Sequence, residues 1–274
     1  MGFIDAHVHV WTDDLEDYPL AAGFTAADMA PKTFPPEELL AHARPCAVDR
    51  IVLVQMSYYG TDNRYMTDTM AAYPGVFGGI AVIDEAVEGV EAEMDRLAGL
   101  GVRGFRIRPA GNPAGDWLAG PGYERMFAHA ARNGQSMCCL IDPDALPDLE
   151  RMCRAYPDTS VVIDHLCRIG VGGEVRAADV EALCAMAAYP HVTVKVSAFY
   201  ALGAKQPPYT DLLPMIGQVM EAFGPERLMW ATDCPFQTLH GTYDSSLALV
   251  RDELVCTPEA REWLLWRTAE RLFF

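Results

Sequence analysis

Eight short runs rich in Val, Ile and Phe divide this chain at fairly even intervals, and most are followed by a stretch with helical periodicity. The runs are 3–9 (FIDAHVH), 50–56 (RIVLVQM), 76–83 (VFGGIAVI), 101–108 (GVRGFRIR), 136–142 (SMCCLID), 160–166 (SVVIDHL), 192–198 (VTVKVSA) and 227–233 (RLMWATD). Between two of them, segment 86–99 places Val87, Val90, Met94 and Leu97 three to four residues apart, the spacing of a helix that buries one face. Pro121 and Pro258 read as first-turn prolines, and Gly134 as a helix stop. Strand, helix and strand, repeated eight times, predict an α/β fold, a parallel (β/α)8 TIM barrel. An open doubly wound sheet is the competing arrangement, but no Gly-rich phosphate fingerprint follows the first run. The 274 residues suit one such barrel, which typically needs about 250. We therefore expect a single domain over 1–274. The longest excursion is 12–49, and its part 12–34, with little periodicity and several Pro and Gly, is expected to be a lid loop over the barrel mouth.

Composition removes several classes of function. No apolar run approaches the roughly 18 residues of a membrane span, and residues 1–20 lack the basic region and apolar core of a signal peptide. A cytoplasmic protein with no membrane partner is expected. The eight cysteines (Cys46, Cys138, Cys139, Cys153, Cys167, Cys184, Cys234 and Cys256) show no CxxC spacing and read as buried thiols. A formal net charge of −17 repels phosphate backbones, so no nucleic-acid partner is expected. The surplus does not fix the sign inside a pocket, and an oligomer is compatible with everything above.

Candidate chemistry begins in the first run. Alternation along a strand puts Asp5, His7 and His9 on one face and Ile4, Ala6, Val8 and Val10 on the other. A His-x-His step lets two imidazoles converge on one metal ion or one bound water. In a barrel the catalytic groups gather at the C-terminal ends of strands. Those ends carry His7 and His9, Arg106 and Arg108, Asp142, Asp164 with His165, Ser197, and Asp233, on otherwise apolar runs. His42 and His129 fall on helices and His191 precedes its strand, so these read as structural or surface residues; His240 follows the last run and is within reach of a site there.

His7-x-His9, the Ile163-Asp164-His165 step and the run Ala231-Thr232-Asp233-Cys234-Pro235 together resemble the amidohydrolase superfamily, in its branch of lactone hydrolases and related decarboxylases. Within that branch, Val54-Gln55, then Gly60-Thr61-Asp62-Asn63, then Gly104-Phe105-Arg106-Ile107-Arg108 are similar to the pyrone-dicarboxylate lactonases. The likeness spans nearly the whole chain. It implies hydrolysis of a lactone, often one bearing carboxylates, with Asp233 as the base that deprotonates water. A metal-dependent decarboxylase of the same superfamily is the alternative it allows.

The chain departs from the superfamily's usual metal set. Metal-dependent members add a Lys or Glu on strand 4 and a His on strand 5, where this chain has arginines and Leu140-Ile141-Asp142. A two-metal centre is therefore not expected. His7, His9, His165 and Asp233 remain, enough for a single ion or for a metal-free hydrogen-bonded cluster. The expectation is that no cofactor is required, or that one divalent metal, Zn or Mn, is weakly held.

Lactone opening needs a base for water, a stabiliser for the oxyanion and a grip on the substrate. Asp233 fits the first role, and His7, His9 and His165 fit the second, as donors or through a metal. Arg106 and Arg108, two apart, face one side and suit bidentate pairing with carboxylates of a small anionic lactone. Ser57, Tyr58, Asn63, Ser197 and Tyr200 are further candidates for binding substrate oxygens, and Trp11 and Tyr59 for walling the pocket.

Overall fold

The computed structural model describes residues 2–109 and 117–274. All eight strands pair in parallel and in chain order: β1 (Phe3–Val8), β2 (Val48–Val54), β3 (Phe77–Ala81), β4 (Val102–Ile107), β5 (Ser136–Cys139), β6 (Val161–Ile163), β7 (Val192–Val196) and β8 (Leu228–Trp230). Seven helices follow β1 to β7: α1 (Pro36–Ala43), α2 (Arg64–Ala72), α3 (Val90–Gly99), α4 (Pro121–Asn133), α5 (Leu146–Ala155), α6 (Ala177–Ala185) and α7 (Leu213–Phe223). After β8 come the short α8 (Phe236–His240), α9 (Tyr243–Ala248), α10 (Pro258–Glu262) and α11 (Thr268–Phe273). The expected (β/α)8 barrel is the observed fold. No helix among the described residues is long and apolar enough to cross a membrane.

Every expected run overlaps one strand, and the differences have local causes. The runs at 160–166 and 227–233 overshoot their strands, which end at Ile163 and Trp230; the first gives way to a left-handed turn that begins at His165 (φ 55°), and Asp233 at the end of the second is also left-handed (φ 65°). Helix α3 starts at Val90, not before, since Gly89 at φ 78° breaks the turn and leaves Val87 exposed. Pro121 and Pro258 do open their helices, and Gly134 at φ 72° closes α4.

Two buried layers hold the barrel together. The outward residues of the strands, such as Ile51, Leu53, Val194 and Trp230, pack against the apolar faces of the helices. The inward ones, Ile4, Ala6, Val52, Val54, Ile80, Cys138, Val162, Met229 and Ala231, form a second cluster with Ala269 and Phe273 of α11. This last helix plugs the barrel floor, and Gly78 permits the approach: a Cβ there would lie 2.9 Å from the Phe273 carbonyl oxygen.

The alternation expected for β1 is interrupted. Ile4 and Ala6 belong to the inner cluster but Val8 to the outer one, because the register shifts between Asp5 and Val8. Asp5 is thereby separated from the imidazole face. Its carboxylate instead accepts hydrogen bonds from the Thr232 amide (2.9 Å), the Thr232 hydroxyl (2.5 Å) and the Tyr243 hydroxyl (2.7 Å). With the Asp233 amide donating to the His7 carbonyl and the His9 amide to the Cys234 carbonyl, these bonds join β1 to the segment after β8.

Segment 12–34 is tied to the start of the β2–α2 connection. The Tyr58 hydroxyl donates to the Asp28 carbonyl (2.9 Å), the Ala21 amide to the Tyr58 carbonyl (2.8 Å), and the Trp11 indole to the Pro31 carbonyl (2.9 Å).

Candidate active site

The floor of the site is an array of three imidazoles and one carboxylate. His7 Nε2 lies 3.3 Å from His9 Nε2, and Asp233 Oδ1 lies 3.5 Å from the former and 3.3 Å from the latter. The His165 ring centroid is 4.4 Å from that of His7, and its Nε2 is 3.9 Å from Asp233 Oδ2. The structure thus brings together all four residues that the sequence proposed. Each is locally fixed. His9 Nδ1 donates to the Val54 carbonyl at 2.8 Å, which leaves Nε2 as a bare lone pair when the ring is neutral. His165 Nδ1 is 2.8 Å from the Ser197 hydroxyl, and the Tyr200 hydroxyl donates to Asp233 Oδ2 at 2.7 Å.

The segment that carries His165 is unusual. His165, Leu166, Cys167 and Arg168 all have φ between 51° and 56°, a full left-handed turn without glycine. It aims His165 at Asp233 and brings Arg168 to the cavity wall.

Electrostatics assign the protonation states. Burial lowers His165 to about 4, and burial together with the Lys195 charge holds His7 well below the ordinary imidazole value. Burial alone would raise Asp233, but the facing imidazoles of His165, His9 and His7 outweigh it and keep the carboxyl well below the usual range. Near neutral pH the site therefore holds an ionised carboxylate beside the neutral rings of His7 and His165. Tyr200 is pushed upward by burial and by the Asp233 charge, so it stays a donor.

A cavity of about 560 Å³ opens above this floor. His9, His165, Asp233, Arg106, Arg108, Ser57 and Tyr200 line it, as does Gln55. Arg106 points inward, with Nη1 3.3 Å from His7 Nε2 and Nη2 3.9 Å from Asp164 Oδ2. Arg108 is exposed at the end of β4 and has no hydrogen-bond or ion-pair partner among the described residues.

Three of the sequence-derived binding candidates have other occupations. Tyr58 lies outside the cavity, its hydroxyl committed to segment 12–34. Asn63 is buried, its amide closing a loop through the Thr61 and Val82 carbonyls and the Val82 amide. Ser197 is buried behind His165 and positions that ring. Trp11 and Tyr59 are buried outside the cavity lining, and Trp11 packs edge-on against Tyr58. His240 stacks on Tyr200 with ring centroids 5.2 Å apart, and Asp142 pairs with Arg168 at 3.1 Å.

Two groups escaped the sequence reading. Arg168 lies in a stretch after β6 where nothing signals the left-handed turn. Lys195 sits in the middle of β7, fully buried, with Nζ 3.1 Å from Asp164 Oδ1 and 3.2 Å from His7 Nδ1. Its only signal was a lone charge on the inward parity of an apolar strand. Asp164 is held well below the carboxylate range: burial opposes this, and Lys195, His7 and Arg106 prevail.

His7, His9 and Asp233 fit a single divalent ion. Donors about 2.1 Å from a tetrahedral centre stand about 3.4 Å apart, and this triangle has sides of 3.3, 3.3 and 3.5 Å. His7, Asp164 and His165 form a second possible grouping among the described residues. There the Lys195 ammonium already lies against both Asp164 and His7.

Comparison with known proteins agrees with the geometry. The chain is similar to the L-fucono-1,5-lactonase of Burkholderia ambifaria, at 27% identity over 88% of this chain and 82% of that one. It is likewise similar to the 2-pyrone-4,6-dicarboxylate hydrolase of Comamonas testosteroni, at 28% identity over 100% of this chain and 90% of the relative. In fold it matches an amidohydrolase from Burkholderia multivorans crystallised with bound zinc, with a TM-score of 0.83 and 22% identity over 99% of both chains. The family model for Amidohydrolase matches residues 4–274, and the chain belongs to that family.

Proposed function

We propose that this amidohydrolase opens a small carboxylate-bearing lactone with water activated by Asp233. The observation that carries the reading is Asp233 set against the imidazoles of His7, His9 and His165, on the floor of a cavity whose wall holds Arg106, Arg108 and Arg168. The lactone-hydrolysing activities named for the Burkholderia and Comamonas relatives support it. In this reading Asp233 takes a proton from water as the water oxygen bonds to the ring carbonyl carbon. Arg106, with the imidazole of His7 or His165 in its Nε2–H form, stabilises the oxyanion. On collapse the ring C–O bond breaks, and the protonated Asp233 returns its proton to the leaving oxygen. Tyr200 holds Asp233 in line, and Arg108, without a hydrogen-bond or ion-pair partner among the described residues, grips a substrate carboxylate.

His7, His9 and Asp233 would hold a divalent ion if one binds, and its chemistry there would be polarisation of the carbonyl and acidification of water. In the proposed enzyme no metal is required. Activity should survive treatment with a strong chelator that leaves less than about a tenth of an ion per chain. Loss that Zn or Mn restores would overturn that part of the reading.

Screening carboxylated lactones by base uptake tests the whole. Ring opening yields a new carboxylic acid, so titrant is consumed in step with substrate. Release of carbon dioxide from an aromatic or dienoic acid, with no lactone turned over, would replace the lactonase by a decarboxylase.

A further inference from the structure

The proposed hydrolysis gives Lys195 no task, yet this lysine is wholly buried near the barrel centre. An ammonium group has three donors and no acceptor. One side of it meets Asp164 Oδ1 at 3.1 Å, another His7 Nδ1 at 3.2 Å, and the Phe273 ring of the floor plug lies 5.7 Å away. Burial of such a charge is costly unless a partner compensates it, and Asp164 is that partner.

Charge counting gives the second observation. Asp164 and Asp233 are the carboxylates against the imidazoles, and Lys195 and Arg106 are the cations that touch Asp164 and His7. With neutral rings these four charges cancel. The third buried carboxylate nearby, Asp5, is turned away toward Thr232 and Tyr243. His7 is bracketed, with the ammonium at Nδ1 and the guanidinium at Nε2. A divalent ion entering the His7, His9 and Asp233 triangle would add two uncompensated charges with an ammonium just across one imidazole ring.

We propose that Lys195 is a resident cation, which neutralises Asp164 permanently and thereby keeps the triangle's affinity for divalent metals low. It is a positioning and charge-balancing residue, and it touches neither water nor substrate. The inference does not draw on the lactone reading. It is tested without substrate, so either can fail alone.

Protein stripped by a chelator is titrated with Zn(II) against a chromophoric competitor, as wild type and as Lys195→Met, which keeps the stem and drops the charge. The zinc dissociation constant should fall by about tenfold or more in the variant. Disruption of the fold would move it the other way, so tighter binding is diagnostic. Unchanged or weaker zinc binding by folded Lys195→Met overturns the proposal. If the unpaired Asp164 prevents that variant from folding, Asp164→Asn is compared with Asp164→Asn/Lys195→Met, where the counter-charge is already absent. The double variant should then bind zinc about tenfold more tightly than the single one, and equal affinities overturn the proposal.

Discussion

Asp233 and Tyr200 share a 2.7 Å hydrogen bond, and the proposed reaction separates the side chains around it into those that react and those that hold. Asp233→Asn keeps volume and removes the proposed base, so turnover should drop by at least about 10²-fold with little change in substrate affinity or melting temperature. A variant retaining a tenth of wild-type rate would transfer the role to another carboxylate. The pH profile follows from the same groups. His165, lowered to about 4, and Asp233, held below the ordinary carboxylate range, both keep their active forms well into acid. Measured kcat/KM should therefore stay flat from neutral pH down to about 5 and fall only below that. An acid limb near 6.5 would mean that an ordinary imidazole controls the rate. Arg108→Met should weaken binding of carboxylated lactones by about 1.5–3 kcal/mol and spare neutral ones; equal loss for both would deny it the carboxylate. The grouping of His7, His9, His165 and Asp233 was legible in sequence, because polar residues at the C-terminal ends of apolar barrel strands converge on one mouth. The binding candidates fared less well. Tyr58, Asn63 and Ser197 carry groups that bond as readily to a neighbouring carbonyl, amide or imidazole as to a ligand, and only tertiary placement separates the two.

Strands and helices were readable from period alone, whereas the connections that aim the site were not. The left-handed turn His165–Arg168 is the clearest case, since no glycine announces it. Each non-glycine residue there costs roughly 1–2 kcal/mol. Arg168 is the member whose side chain is partly exposed, with its ion pair at the surface, so it allows a clean measurement. Arg168→Gly should be more stable than Arg168→Ala by about 1 kcal/mol, the reverse of the usual order, as read by urea midpoints. Alanine equal to or better than glycine would mean that the turn is unstrained. The β1 bulge was hidden for a related reason: strict alternation predicts Asp5 beside the imidazoles, and one register shift sends it to Thr232. The anchoring of segment 12–34 through Tyr58 and Trp11 likewise depends on partners about twenty to thirty positions away, beyond the reach of local pattern.

Closure of the barrel depends on a clasp between distant parts of the chain, and it governs the molecule as a whole. Tyr243→Phe removes one of the donors that satisfy the buried Asp5 carboxylate and should lower global stability by about 1–3 kcal/mol. A urea midpoint equal to wild type would show that the clasp is dispensable. Catalytic loss without destabilisation is not expected, because Tyr243 is buried away from the cavity. The clasp also has a consequence for synthesis. Asp5 and Thr232 are 227 residues apart, and translation at roughly 5–20 residues per second separates their emergence by about 10–45 seconds. Throughout that interval His7 and His9 exist without Asp233, and β1 has an unpaired edge on the side that β8 will cover. The nascent chain therefore remains both inert and prone to mispairing until its final quarter has been made, which makes this enzyme a natural client for whatever shields open β edges at the ribosome exit.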